Sequence, residues 1–410
     1  MSALAYAWRS LWRNRRRTLI TLAAIALSIM LVQAFHNLSV GVYAQMVDDG
    51  VRAGSGHLAV YRDGYLDGHE EALSFAPGDL AAQVRAIPGV DRALPRLYLP
   101  ALAQSSHDSR GILLVGVEPA AERAVNPFLK ELPADAMLRD LDGRDAVIGR
   151  RLLDDLRLAV GRKLVVTAQH RDGTLHSELL RVRGVVTTGI KDVDGSLLMV
   201  GIERAALLAG MPGELHELAI VLGRATDEPR IHSALASVVA GRRELQAVSW
   251  EEAMPNLANA IKLDYASQKF IFVIILLIVT IGVVSTLLMS VMERLREFGV
   301  VLALGSSPAR LRGLVLLEAL LLGLVAAVAG CMLGALATWY LVEVGIDLKD
   351  FLPETLEFGG VVFDPVLRAA WDIAWMARIA LYVVGLTLLA ALYPAIKAGR
   401  ITPVEAMRHH

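Results

Sequence analysis

One carboxylate stands in the middle of an apolar run. Glu318 lies in VLLEALLLG, and an ionisable group inside a membrane span is costly and often functional. Arg312 and Arg294 are near enough in the chain to pair with it, so Glu318 reads as half of a structural ion pair; a coupling role and a proton relay are the alternatives. Gln33 and His36 are polar groups in a second apolar run. They are three apart and share a helix face. They suit packing inside a helix bundle or, alternatively, the lining of a cavity between two protomers. His170 and His176 are six apart in a turn-rich stretch and read as solvated side chains, with no metal expected. The chain contains no Gly-Lys pair, so a phosphate-binding loop of the GxxxxGK[ST] type is excluded. HExxH, CxxC and GxSxG are absent too. No catalytic residue and no cofactor of this chain is expected. If ATP is involved, its hydrolysis belongs to another chain.

The elements that hold these residues are set by hydropathy. The 410 residues are 55% hydrophobic, too apolar for an ordinary soluble protein. The net charge of -1 points to no nucleic acid, and the single cysteine, Cys331, provides no disulfide. Four segments are long and apolar enough to cross a bilayer core of about 30 Å: 18–41, 266–292, 311–341 and 375–394. Basic residues mark one side. Arg9, Arg13, Arg15, Arg16 and Arg17 precede the first segment, Arg294, Arg296, Arg310 and Arg312 lie between the second and third, and Lys397, Arg400 and Arg408 follow the fourth. The 342–374 loop is acidic instead. By the positive-inside rule both termini are cytoplasmic and 42–265 lies outside. The first segment reads as an uncleaved anchor, since its apolar run exceeds a usual signal peptide's. Gly330 and Gly334 form a GxxxG pair in the third segment, consistent with close packing against the fourth.

The large extracytoplasmic stretch reads as α+β. GHLAVYRDG alternates as a strand, 78–88 reads as a helix, and ALPRLYLPALAQ and RGILLVGVEP read as strands. Near its end the pattern returns: strand HELAIVLG, helix EPRIHSALASVVA, strand ELQAVSW. Two such β-α-β pieces can assemble into a ferredoxin-like split layer. The residues between them predict an inserted, mainly-β subdomain. A helix beginning near Ser249, with Glu252 completing a capping box, could run through the membrane as a single rod, kinked or delayed by Pro255.

Residues 293–310 follow. An amphipathic helix over 292–304 carries Leu295, Phe298, Val301, Leu302 and Leu304 as apolar teeth beside Glu293, Arg294, Arg296 and Glu297. Gly305 closes it as a C-cap. Ser307-Pro308 restarts the next helix as N-cap and first-turn proline. Either this is an interfacial surface helix or it is a docking knob for a partner.

The stretch ERLREFGVVLALGSSPARL resembles the cytoplasmic loop of the FtsX/MacB/LolC-LolE family of ABC transporter permeases. YPAIKAGRITPVEAMR is similar to that family's ending and WRNRRRTLIT to its beginning, while DAVIGRRLLDDLRLAVGRKLVV and VRGVVTTG resemble its extracytoplasmic domain. GSGHLAVYRDGY leans toward the lipoprotein-releasing branch. The resemblance implies a multi-pass inner-membrane subunit without ATPase activity of its own. Its partners would be an ABC ATPase dimer that binds ATP and Mg, a second permease copy or a paralogue, and a periplasmic chaperone, adaptor or hydrolase. It implies an ATPase contact formed by Glu293, Arg296, Glu297, Phe298, Gly299, Leu302 and Gly305, and a second by Ile401, Thr402, Pro403 and Glu405 in the 395–410 tail. Residues 1–17, with Trp8 and Trp12, would lie along the inner surface. The cargo would be a lipoprotein or another amphiphile; signalling to a periplasmic enzyme and efflux through an adaptor are the alternatives.

Overall fold

The computed structural model describes residues 3–348, 357–358, 361–362 and 366–400. The chain divides into two units. One comprises 1–43, 263–350 and 366–410; the other comprises 44–262 and 351–365.

The first unit is helical. Among the described residues, four helices are long and apolar enough to cross a membrane: Arg15–Ala53, Pro255–Glu293, Pro308–Glu343 and Ile373–Ala398. The first extends well beyond the expected 18–41, because YAQMVDDGVRA carries no proline and its single glycine, Gly50, does not suffice to break a helix. The second begins at Pro255. Ser249 caps only a separate turn, Trp250–Ala253, and its side chain makes no capping bond, so the expected capping box does not form. Proline at the first position suits a helix start, its missing N–H being one that a first turn leaves unpaired anyway.

All four long helices feed one core: Ile25 and Ile29, Val283 and Leu287, Ala319 and Leu322, Val383 and Ala391. Small residues set the spacing. A Cβ on Gly330 would fall 2.7 Å from Ile29 Cβ, and one on Gly334 would fall 2.1 Å from Gln33 Oε1. The GxxxG pair therefore packs on the first helix, correcting the expected fourth; it is Gly323 that faces the fourth helix, at Thr387.

In the second unit nine strands form one sheet, ordered β3-β7-β4-β6-β5-β2-β8-β1-β9. The strands are β1 Leu58–Arg62, β2 Val90–Gln104, β3 Ser109–Val117, β4 Asp145–Gly149, β5 Lys163–Gln169, β6 Leu175–Val186, β7 Leu197–Gly201, β8 Glu217–Leu222 and β9 Leu245–Ser249. The order β2-β8-β1-β9, with every neighbour antiparallel, and helices Leu80–Arg85 and Glu228–Val239 as crossovers, is a split β-α-β layer. The insert is not a separate layer. β2 is 15 residues long; its first half pairs with β8 and its second half with β3 and β5. Because β2 also pairs with β3, the ring β2-β3-β7-β4-β6-β5 closes into a barrel, filled by Leu97, Leu99, Leu114, Ile148, Leu164 and Leu180 among others.

Arg96 stands where β2 changes partners. Fully buried, it donates to Glu122 at 2.7 and 3.2 Å, donates to the Gly54 carbonyl and lies 3.6 Å from Glu217. Glu217 also accepts from the Tyr61 hydroxyl at 2.5 Å and from the Tyr98 hydroxyl. Burial, and then the Glu217 charge, hold both tyrosines well above the usual phenol range.

Candidate functional site: the loop after the second long helix

The loop is pinned from within. The second long helix ends at Glu293, Arg294 leaves helical geometry (φ -108°, ψ 14°), and a short helix Leu295–Ala303 follows. The expected continuous helix over 292–304 is thus broken at Arg294, and the break has a cause. The Arg294 side chain turns inward and is buried with Glu318. Its Nη1 donates to Glu318 Oε1 at 2.7 Å and to Ser10 Oγ at 2.5 Å; its Nη2 donates to the Tyr6 hydroxyl at 3.0 Å and its Nε to Glu297 Oε2 at 3.3 Å. The guanidinium carbon lies 4.9 Å from the Phe298 ring centroid and 5.6 Å from that of Tyr6, within cation–π range. One arginine thereby joins the N-terminal helix Ala3–Leu11, the loop helix and the third long helix. Of the two candidate partners for Glu318, Arg294 takes it. Arg312 lies against Gly399 instead, where an added Cβ would fall 2.4 Å from its Nε.

A second layer of pairs surrounds this joint. Arg13 donates to Glu297 at 2.5 Å, and Arg17 pairs with Glu293. Phe298 is buried among Val291, Leu311, Val315, Ala395 and Ala398, and Gly299 is buried beside it. The expected contact set therefore splits. Glu293, Arg296 and Gly305 are exposed, Glu297 and Leu302 are half-buried, and Phe298 and Gly299 face inward as the loop's footing. The apolar tip is formed instead by Val300, Val301 and Leu304, the last 82% exposed. Leu304 belonged to the expected apolar stripe but not to the expected contact set. Gly305 turns the corner at φ +89° with nothing within 4 Å of where a Cβ would stand, so its requirement is conformational. Ser307 Oγ accepts from the Arg310 amide, capping the third long helix. Ile401, Thr402, Pro403 and Glu405 lie outside the described residues.

Two descriptions of known families match this chain. The MacB-like periplasmic core domain matches residues 18–238, over half of the chain, and the FtsX-like permease C-terminal domain matches residues 269–403. This chain belongs to the FtsX/MacB/LolC family of ABC permeases. Similar relatives include the lipoprotein-releasing system transmembrane protein LolC of Neisseria meningitidis, 27% identical over 78% of this chain and 79% of that protein. An uncharacterized ABC transporter permease of Methanocaldococcus jannaschii is 18% identical over 99% of this chain and 97% of its own. The pyoverdine export ATP-binding/permease protein PvdT of Pseudomonas fluorescens is 22% identical over 99% of this chain, which spans 59% of it.

As a multi-pass permease of this family, the protein must also hold polar groups within its bundle. Gln33 donates to the Met376 carbonyl at 3.0 Å and to Cys331 Sγ at 3.4 Å. His36 lies 3.3 Å from Asp372 and stacks on Trp375 with ring centroids 3.7 Å apart. Gln33 sits in the packing between the first, third and fourth helices, and His36 in that between the first and the fourth. Asn37, one turn after Gln33, was missed. It donates to Thr338 Oγ1 at 2.9 Å and accepts from the Asp372 amide; its i+4 spacing from Gln33 was the available signal. Also missed was a cluster joining the first two long helices, where Gln268 donates to Ser39 at 2.8 Å and to Asp264 at 2.7 Å, and Tyr43 pairs with Asp264.

Proposed function

We propose that this permease is the membrane half of an ATP-driven machine, seated in the inner membrane with both termini and the 294–307 loop cytoplasmic and the α+β unit outside. A separate ATPase dimer, binding ATP and Mg, docks on Val300, Val301 and Leu304. ATP-driven movement of the loop is passed to the helices through Arg294 and Glu318, and a lipoprotein or comparable amphiphile is extracted or moved on the far side. The joint of Arg294 with Glu318, Ser10, Tyr6 and Glu297 carries this reading. It fixes the base of an exposed apolar tip to two further helices, so a push on the tip cannot be absorbed by a loose loop. The match to LolC over 78% of the chain supports the lipoprotein branch.

A second permease copy or paralogue fits the second long helix, whose most apolar window is only 17% buried and which exposes Phe270, Val273, Leu277, Ile278 and Ile281. Efflux is the second reading, favoured by the match of PvdT over 99% of this chain.

The test is isolation from native membranes in mild detergent, with mass spectrometry of the companions. A stoichiometric ABC ATPase, lost with Leu304→Glu while the permease stays folded, supports the reading. Absence of any ATPase removes the motor and overturns it. A lipoprotein or its chaperone selects release, and an adaptor with an outer-membrane channel selects efflux.

A further inference from the structure

The hairpin joining β5 and β6 brings together three groups that the permease reading leaves unused. Ala168 pairs with His176 across the ladder and Gln169 pairs with Leu175. Side chains alternate along a strand, so His170, two residues beyond Ala168, falls on the same face as His176. Their rings stack with centroids 4.3 Å apart. Between them the turn, with Gly173 at φ +85°, returns Asp172 to the same side: its Oδ1 is 3.0 Å from His170 Nδ1. The amide and hydroxyl of Thr174 donate to that oxygen at 2.9 and 2.5 Å and hold it in place. One ligand atom from each of the three residues lies within 4.8 Å of the others.

Two further observations orient the set. A Cβ on Gly210 would fall 2.2 Å from His170 Nε2, so that edge of the ring is closed by backbone and Nδ1 is left facing Asp172. The nearest guanidinium in sequence, Arg171, is committed to Glu214 at 2.7 Å and does not compete for the carboxylate.

We infer that His170, Asp172 and His176 form a site for a borderline divalent cation of the Zn2+ type. Two imidazole nitrogens and one carboxylate oxygen are a donor set that zinc takes at about 2.0–2.2 Å, with water in the fourth position. Hard cations such as Mg2+ prefer all-oxygen sites. The site clips together the two ends of the hairpin, and its exposed side leaves a position open to solvent or to a donor from another molecule.

The experiment uses the full-length permease in detergent, stripped with chelator, carrying no polyhistidine tag and with His409→Ala and His410→Ala removing the tail imidazoles. Calorimetric titration with Zn2+ is expected to show one equivalent bound in the micromolar range. Co2+ is expected to give the visible d–d bands of a four-coordinate site. His176→Ala and Asp172→Ala should each weaken Zn2+ binding by at least about tenfold. A tenfold excess of Mg2+ should leave it unchanged. His176 and Asp172 are exposed, so these variants keep their fold, and equal thermal unfolding of the metal-free forms verifies this. No binding at 100 μM Zn2+, or binding unaltered in both variants, overturns the inference. Neither result bears on the ATPase partner, whose presence is read separately.

Discussion

Two buried arginines organise the two units, and they do so differently. Arg96 is enclosed within a single folded unit. Its carboxylate partners Glu122 and Glu217 are themselves buried, Gly54 is half-buried, and the tyrosines on Glu217 sit on neighbouring strands. Arg294 is equally buried, but its partners reach outward. Glu297 is half-exposed and is shared with Arg13, while Tyr6 and Ser10 belong to the N-terminal helix. The first arrangement locks a strand that changes partners midway. The second is a joint between a surface loop and the interior. Burial alone does not separate the two arrangements; what separates them is whether the network ends inside or continues to an exposed surface.

The sharpest way to break the comparison is to remove each cation. Arg96→Ala leaves Glu122 and Glu217 buried without their counter-charge. The expected loss is about 3–5 kcal/mol, read as a large drop in the urea midpoint for protease resistance of residues 44–262. Arg294 is better tested with its partner. Replacing a buried ion pair by apolar groups of similar volume is often neutral for stability, so Arg294→Met with Glu318→Leu should fold. It should nevertheless lose most transport-coupled ATPase stimulation in reconstituted membranes. A double variant with wild-type coupling would reduce Arg294 to a scaffold like Arg96.

A smaller effect is expected at the close approach of the third helix to the first. Gly334→Val places a branched side chain where a Cβ alone would lie 2.1 Å from Gln33 Oε1. Overpacking of this kind costs about 1–3 kcal/mol, read as a lower melting temperature in detergent.

How legible each region was in the sequence follows from the same contrast. The spans declare themselves through unbroken apolar runs and flanking charge, both local signals. The split β-α-β pattern was readable because each half is contiguous. The barrel closure was not, since it depends on β2 pairing with both β3 and β5, and the β2–β5 pairing is a non-local event that alternation cannot encode. At the loop, the apolar stripe was visible but its facing was not. Phe298 and Leu304 are equally apolar in sequence. Arg294, drawn in by a carboxylate 24 residues on, rotates the loop helix so that Phe298 goes inside and Leu304 outside. The GxxxG pair was plain and its partner was not, because a glycine face says that something approaches closely without saying what.

The smallest predicted effect lies in the α+β unit and depends on pH. His216 is buried, its Nδ1 accepts from the Tyr98 amide at 3.1 Å, and its Nε2 meets the Glu71 carbonyl at 2.9 Å. Burial lowers its pKa below the ordinary histidine value, as it does for His57. A histidine with a lowered folded pKa is neutral in the fold, whereas the unfolded chain takes up a proton below about 6.5. The unfolded state then binds more protons, so stability falls as pH drops through that value and continues to fall until the folded pKa is reached. Each such group contributes at most about 1.4 kcal/mol per pH unit in that window. His216→Gln retains one acceptor and one donor without the titration. Comparing protease resistance of residues 44–262 at pH 7.5 and 5.5 should show a shallower decline in this variant than in the wild type, with His57 contributing to the slope that remains. An unchanged slope would mean that His216 is already accessible to protons in the folded state, and that the strand junction around Arg96 is looser than its hydrogen bonding implies.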